Sequence, residues 1–165
     1  AGVLILIFKP YRIGDFVEVA GVAGTVTSVL IFTTELNTGD NKRVIIPNGQ
    51  TMGGTITNYS TNDTRRVDLV MGIGYGDDID KAKKVLEEIV ATDERVLKDP
   101  APTIAVVELA DSSVNFVVRP WVNKADYWGV YFGLTETVKK RFDEENISIP
   151  FPQSDVHMHQ IASND

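Results

Sequence analysis

Thr25-Val26-Thr27-Ser28-Val29-Leu30-Ile31-Phe32-Thr33-Thr34-Glu35-Leu36 leads into Asn37-Thr38-Gly39-Asp40-Asn41 and then Val44-Ile45-Ile46-Pro47-Asn48-Gly49. The first run is rich in Thr, Val, Ile and Phe, which pack well on a pleated surface, and it lacks helical spacing, so it favours strand. The polar cluster at 37–41 is a turn, because Asn, Gly and Asp tolerate unusual backbone angles. Val44-Ile45-Ile46 is a further strand, stopped by Pro47-Asn48-Gly49.

Working outward, Phe16-Val17-Glu18-Val19 precedes Gly21-Val22-Ala23-Gly24, and Thr55-Ile56-Thr57-Asn58-Tyr59 follows. About five short strands within residues 14–59 predict a small, strongly bent β-barrel. Ser60-Thr61-Asn62-Asp63-Thr64 is polar and reads as a linker.

Beyond the linker the periodicity changes. Arg66 to Ile73 predicts a strand. Asp77 or Asp78 can cap a helix whose apolar positions, Ile79, Ala82, Leu86, Ile89 and Val90, fall on one face. Thr103 to Leu109 and Val114 to Val122 predict two strands joined by Ala110-Asp111-Ser112-Ser113. Asp126 can cap a second helix with Tyr127, Val130, Tyr131, Leu134, Val138 and Phe142 on one face. The order β-α-β-β-α is a ferredoxin-like split βαβ unit without its last strand. After Pro150 and Pro152, Gln153 to Ile161 predicts one strand more.

Composition bounds the chemistry. There is no cysteine, which excludes thiol nucleophiles, disulfides and thiolate metal sites. Residues 1–60 balance Lys9, Arg12, Lys42 and Arg43 against Asp15, Glu18, Glu35 and Asp40, so residues 61–165 carry the whole net charge of −7. No basic stripe is present to neutralise phosphates, so nucleic acid is not expected as a partner. The opening run Gly2-Val3-Leu4-Ile5-Leu6-Ile7-Phe8 is too short to cross a bilayer, which takes about 20 helical residues. It reads as the cut end of a helix, with Leu4, Ile7 and Phe8 on one face packed on the β module and Gly2 as a bend point.

Five segments carry a resemblance. Phe8-Lys9-Pro10-Tyr11-Arg12-Ile13-Gly14-Asp15, Gly21-Val22-Ala23-Gly24-Thr25-Val26, Ile46-Pro47-Asn48-Gly49, Ser113-Val114-Asn115-Phe116 and Ile149-Pro150-Phe151-Pro152-Gln153 together resemble the small-conductance mechanosensitive channel family. Gln50-Thr51 departs from it, since the family more often has a base or an apolar residue there. The resemblance implies an α+β architecture in four parts: the end of a pore-lining helix (1–10), an Sm-like β domain (11–60), a ferredoxin-like α/β domain (65–149) and a C-terminal strand (150–165). That strand would join those of other subunits in a parallel barrel. Gly2, Leu4 and Phe8 would belong to the pore helix, and Pro47, Asn48 and Gly49 to a coupling turn beneath it. Val156 and Met158 would face the barrel lumen, with Asp155, His157 and His159 outside. A homo-heptamer would form a hollow cage on the cytoplasmic side of a prokaryotic inner membrane. It would be held there by upstream helices, would filter ions and osmolytes on hypo-osmotic shock, and would need no cofactor.

Other chemistry is weakly supported. Gly72-Ile73-Gly74-Tyr75-Gly76 has the setting of a phosphate loop but the wrong spacing, and Asp77, Asp78 and Asp80 at the helix start would repel a phosphate. Asp155, His157 and His159 share a strand face without the further ligands a metal needs. Acids such as Glu87, Glu88, Asp143, Glu144 and Glu145 alternate with lysines on helix surfaces, a solvated pattern that does not suggest an enzyme. Trp121 and Trp128 are expected to pack strand against helix. The alternatives to a channel cage are a stand-alone Sm-like nucleic-acid module and a ligand-sensing regulatory domain.

Overall fold

The computed structural model describes residues 6–8 and 10–163, and the chain forms two compact units that divide after Thr64. The first holds five antiparallel strands: β1 (Phe16–Val19), β2 (Val22–Val29), β3 (Thr33–Asn37), β4 (Arg43–Pro47) and β5 (Thr57–Asn58), in the order β4-β3-β2-β1-β5. This is the Sm-like arrangement. Alternation places Val17, Val19, Val26, Leu36 and Ile46 in one core with Tyr11, while intervening residues such as Phe16, Glu18 and Ile45 stay exposed.

Turn chemistry sets the register. Val19 pairs with Val22 across a two-residue turn in which Ala20 (φ 49°) and Gly21 (φ 75°) are both left-handed. That turn twists with its strands, and alanine is a costly occupant of its first position. The run from Thr25 to Leu36 is two strands, not one. Leu30, Ile31 and Phe32 form the turn between β2 and β3, with Leu30 N–H donating to Thr33 O at 2.8 Å. Pro47-Asn48-Gly49 also departs from expectation, for it opens a short helix, α1 (Asn48–Met52).

In the second unit, β7 (Leu69–Ile73), β8 (Thr103–Leu109) and β9 (Val114–Arg119) form an antiparallel sheet in the order β7-β9-β8. That is the ferredoxin-like order with the place beside β7 unfilled. β6 (Thr64–Arg66) and β10 (Trp121–Asn123) form a separate pair, because Pro120 breaks the expected strand from Val114 to Val122. Two helices cover the sheet, α2 (Ile79–Thr92) and α3 (Tyr127–Glu144), the latter entered through a 3-10 turn (Lys124–Asp126). Asp78 caps α2, its side chain accepting from Lys81 N–H at 3.0 Å, whereas Asp126 precedes α3 without a side-chain cap bond. The apolar face of α2 is Ala82, Val85, Leu86, Ile89 and Val90. Ile79, expected there, is exposed because it lies in the first turn, beyond the sheet-facing stripe. Val130, Leu134, Val138 and Phe142 of α3 close the same core against Phe116 and Val118.

Residues 151–163 are exposed and form no strand, and Gln153 N–H donates to Ser112 Oγ at 3.0 Å. The helical turn at 6–8 is present as expected, but Ile7 and Phe8 are 65% and 72% exposed and do not pack on the β unit. Tyr11 already closes that core. Gly2, Leu4 and Ile5 lie outside the described residues.

Two substitutions test this account. A Cβ on Gly24 would stand 2.6 Å from the carbonyl oxygen of Asn37 across β2 and β3. Gly24→Ala should therefore cost about 2 kcal/mol, the scale of overpacking against backbone that cannot yield. Ala20→Asn should gain about 1 kcal/mol by suiting the left-handed turn. Urea unfolding reads both.

Candidate functional site

The buried polar centre of the β unit is built on Asn48, which is 1% exposed. Its Nδ2 donates to the carbonyls of Leu30 (2.7 Å) and Ile31 (3.0 Å), and its backbone N–H donates to that of Phe32 (2.8 Å). One residue thus satisfies three successive carbonyls of the β2–β3 turn. Its Oδ1 accepts from Thr34 Oγ1 at 2.8 Å, and Thr34 Oγ1 lies 2.7 Å from Tyr11 Oη. A hydroxyl has one proton, so with Thr34 donating to Asn48, Tyr11 must donate to Thr34. Thr34 is fully buried, and the chain of bonds leaves none of these side-chain groups unpaired.

The network lets an apolar tip stand in solvent. Leu30, Ile31 and Phe32 are 52%, 58% and 82% exposed, yet their carbonyls are fixed from below. A rigid apolar tip needs such a lock, since exposed apolar side chains have no packing to order them. Pro47 and Gly49, the other members of the predicted coupling turn, are exposed on either side of Asn48. Gly49 is helical rather than left-handed, and a Cβ there would meet nothing within 4 Å. The chain itself does not require glycine at that position.

The other singled-out residues have local roles or none. Asp77 Oδ2 accepts from Gly74 N–H (2.8 Å), Ser148 N–H (3.0 Å) and Ser148 Oγ (2.5 Å), so the glycine-rich segment is a clasp, with its carboxylate where a phosphate would have to sit. Trp128 does not pack strand against helix. It is 57% exposed and stacks along α3 on Phe132 at 5.4 Å, its i+4 neighbour, and edge-on to Tyr127 at 5.0 Å. Asp155, His157 and His159 are exposed, and among the described residues no group of three or more His, Cys, Asp or Glu is placed to hold a metal. Val156 and Met158 are 76% and 88% exposed. No helix among the described residues is long and apolar enough to cross a membrane.

Residues 1–61 match the family described as the β-domain of the mechanosensitive ion channel, and residues 67–149 match the C-terminal domain of MscS. The chain belongs to the MscS family of mechanosensitive ion channels. It is 51% identical over 98% of its length to a small-conductance mechanosensitive channel of Edwardsiella ictaluri, and covers 57% of that protein. An MscS family protein of Synechocystis sp. is 48% identical over 96% of the chain, which covers 54% of it. The chain thus spans about half the length of these curated relatives. The crystal structure of Helicobacter pylori MscS in a closed state superposes with a TM-score of 0.91 at 30% identity, covering 97% of this chain and 64% of that one. Arabidopsis thaliana MSL1, at 18% identity and a TM-score of 0.76, shares the fold.

Within this MscS-family β unit, Asn48→Ala should cost about 3 kcal/mol, because it strands two part-buried turn carbonyls and the buried Thr34 hydroxyl. Asn48→Asp should destabilise more at neutral than at acidic pH. The folded state raises the pKa of a carboxyl facing carbonyl oxygens, so stability returns as the group is protonated. Urea titrations at the two pH values check the sign.

Proposed function

We propose that the chain is the cytoplasmic vestibule of a mechanosensitive channel, a homo-heptameric cage and not an enzyme. In this reading, membrane helices before residue 1 sense tension, and the cage sieves ions and osmolytes reaching the pore. Residues 1–10 continue the pore-lining helix that includes Gly2, Leu4 and Phe8, and residues 11–60, 65–149 and 150–165 are the β domain, the α/β domain and the tail strand.

The observation that carries the assembly is the state of the β-unit edges. Among the described residues β4 pairs with β3 and β5 with β1, so the two strands lie at the ends of the sheet order and present its edges. Pairing β4 of one copy with β5 of the next closes a ring and removes both edges. The tail supports the same conclusion. Residues 154–161 alternate Val156 and Met158 with Asp155, His157 and His159, and their backbone has no ladder partner among the described residues. In a parallel barrel of these tails, Val156 and Met158 face the lumen, because clustered Asp155 carboxylates inside would repel one another.

The second element is coupling. The exposed pair Pro47 and Gly49 flanks the buried Asn48, so a helix end pressing on this turn acts on the lock beneath the Leu30–Phe32 tip. The free space at Gly49 then serves close approach by the pore helix.

The mass of the chain by light scattering tests assembly. A heptamer is expected, weakened on deleting residues 150–165. A monomer with the membrane helices restored would overturn the proposal. Gly49→Ala separates the two roles of that residue. It should stabilise the chain by up to about 1 kcal/mol, as alanine does in a helix, while altering tension-evoked currents of the full channel in patch clamp. Unchanged currents would remove Gly49 from the coupling path.

A further inference from the structure

The α/β unit contains a cleft that the channel reading does not use. It lies beside the C-terminal end of α2, has a volume of about 730 Å³, and is floored by Val90, Val96, Leu97 and Ile104. That volume falls within the roughly 300–1,000 Å³ of small-ligand sites, which combine an apolar floor with a few polar groups.

Four charges line it: Lys83 and Glu87 from α2, and Glu94 and Lys98 from the segment after it. None of the four has an ion-pair or side-chain hydrogen-bond partner among the described residues. Their neighbours are engaged, Lys81 donating to Glu145 O at 2.6 Å and Glu88 accepting from Arg141 at 3.2 Å. Asp93, also at the cleft, is held by Arg95 through contacts of 3.0 and 2.8 Å, and these hydrogen bonds keep its carboxyl below the ordinary range.

We propose that this cleft binds a small zwitterion with an apolar body, of the apolar α-amino-acid type. Charge complementarity selects the class. Two available ammonium groups and two available carboxylates face a ligand together, so a simple anion or cation meets as much repulsion as attraction. A molecule carrying both charges can engage both signs. α2 has no basic residue in its last turn, so its carbonyl end also favours the ligand's ammonium. The floor takes the side chain. All the groups belong to the α/β unit, so the site does not depend on assembly or on the channel reading.

Nitrogen-15-edited NMR of the 165-residue chain tests it with L-leucine, leucinamide, 4-methylpentanoate and glycine. L-leucine should shift amides between Val90 and Lys98 in a saturable manner. Leucinamide, without the carboxylate, and 4-methylpentanoate, without the ammonium, should each bind at least about tenfold more weakly, the scale of one lost charge-assisted contact. Glycine should bind least. Lys83→Gln with Lys98→Gln should weaken leucine about tenfold and should not weaken leucinamide, which loses only a repulsion. Ala91→Trp, at an exposed lining position, should block all four while the far-UV spectrum stays native. The absence of leucine shifts up to its solubility limit would overturn the proposal. So would equal affinity for leucine, leucinamide and 4-methylpentanoate, which would mark an apolar surface and nothing more.

Discussion

Three consecutive peptide carbonyls at the β2–β3 turn are satisfied by a single asparagine, and the β unit depends on that arrangement. A tight turn faces its carbonyls inward when its side chains face out, and carbonyls turned from water need donors. Asn48 supplies three N–H groups because it sits where a strand becomes a helix, with its backbone amide still free of the helix ladder. Thr34 and Tyr11 extend the network into the apolar core, so the tip and the core hold each other in place.

The second unit uses a carboxylate in the same way. Asp77 gathers the amide of Gly74 and both donors of Ser148, joining the end of β7 to the segment after α3. A longer-range brace joins the helices, where Arg141 of α3 reaches Glu88 of α2. Arg95 lies over α3 at Gly129 and Gly133, where a Cβ would come within 2.9 and 3.1 Å of its guanidinium. These are surface contacts of modest energy, and the shared apolar core supplies most of the stability.

Much of the fold was legible in the sequence where period and burial coincide. β1 alternates, and α2 and α3 show their stripes, because one face of each meets a single core. The reading failed where local chemistry misled it. Leu30-Ile31-Phe32 has strand composition, yet its polar contacts come from Asn48, which is distant in sequence. Pro47-Asn48-Gly49 reads as a turn because each residue suits one, while the same proline is equally fit to precede a helix. Val85 was missed and Ile79 included because the width of a buried stripe depends on what it packs against. The candidate coupling residues were found through family resemblance, and no sequence pattern revealed the network beneath them. The cleft was illegible for a different reason, since its charges gain significance only from lacking partners, a property of the folded chain.

The chain between Ser148 and Gln153 is tied at both ends, to Asp77 at one and to Ser112 at the other, with Pro150 and Pro152 stiffening the span. A force drawn along the tail meets these ties in sequence. The first is a single exposed hydrogen bond, which releases under small load and pays out slack. The second shares the load among contacts converging on one carboxylate, so it holds until they part together. A pull on the tail therefore loads the β8–β9 turn through Ser112 first and the end of β7 through Asp77 after it.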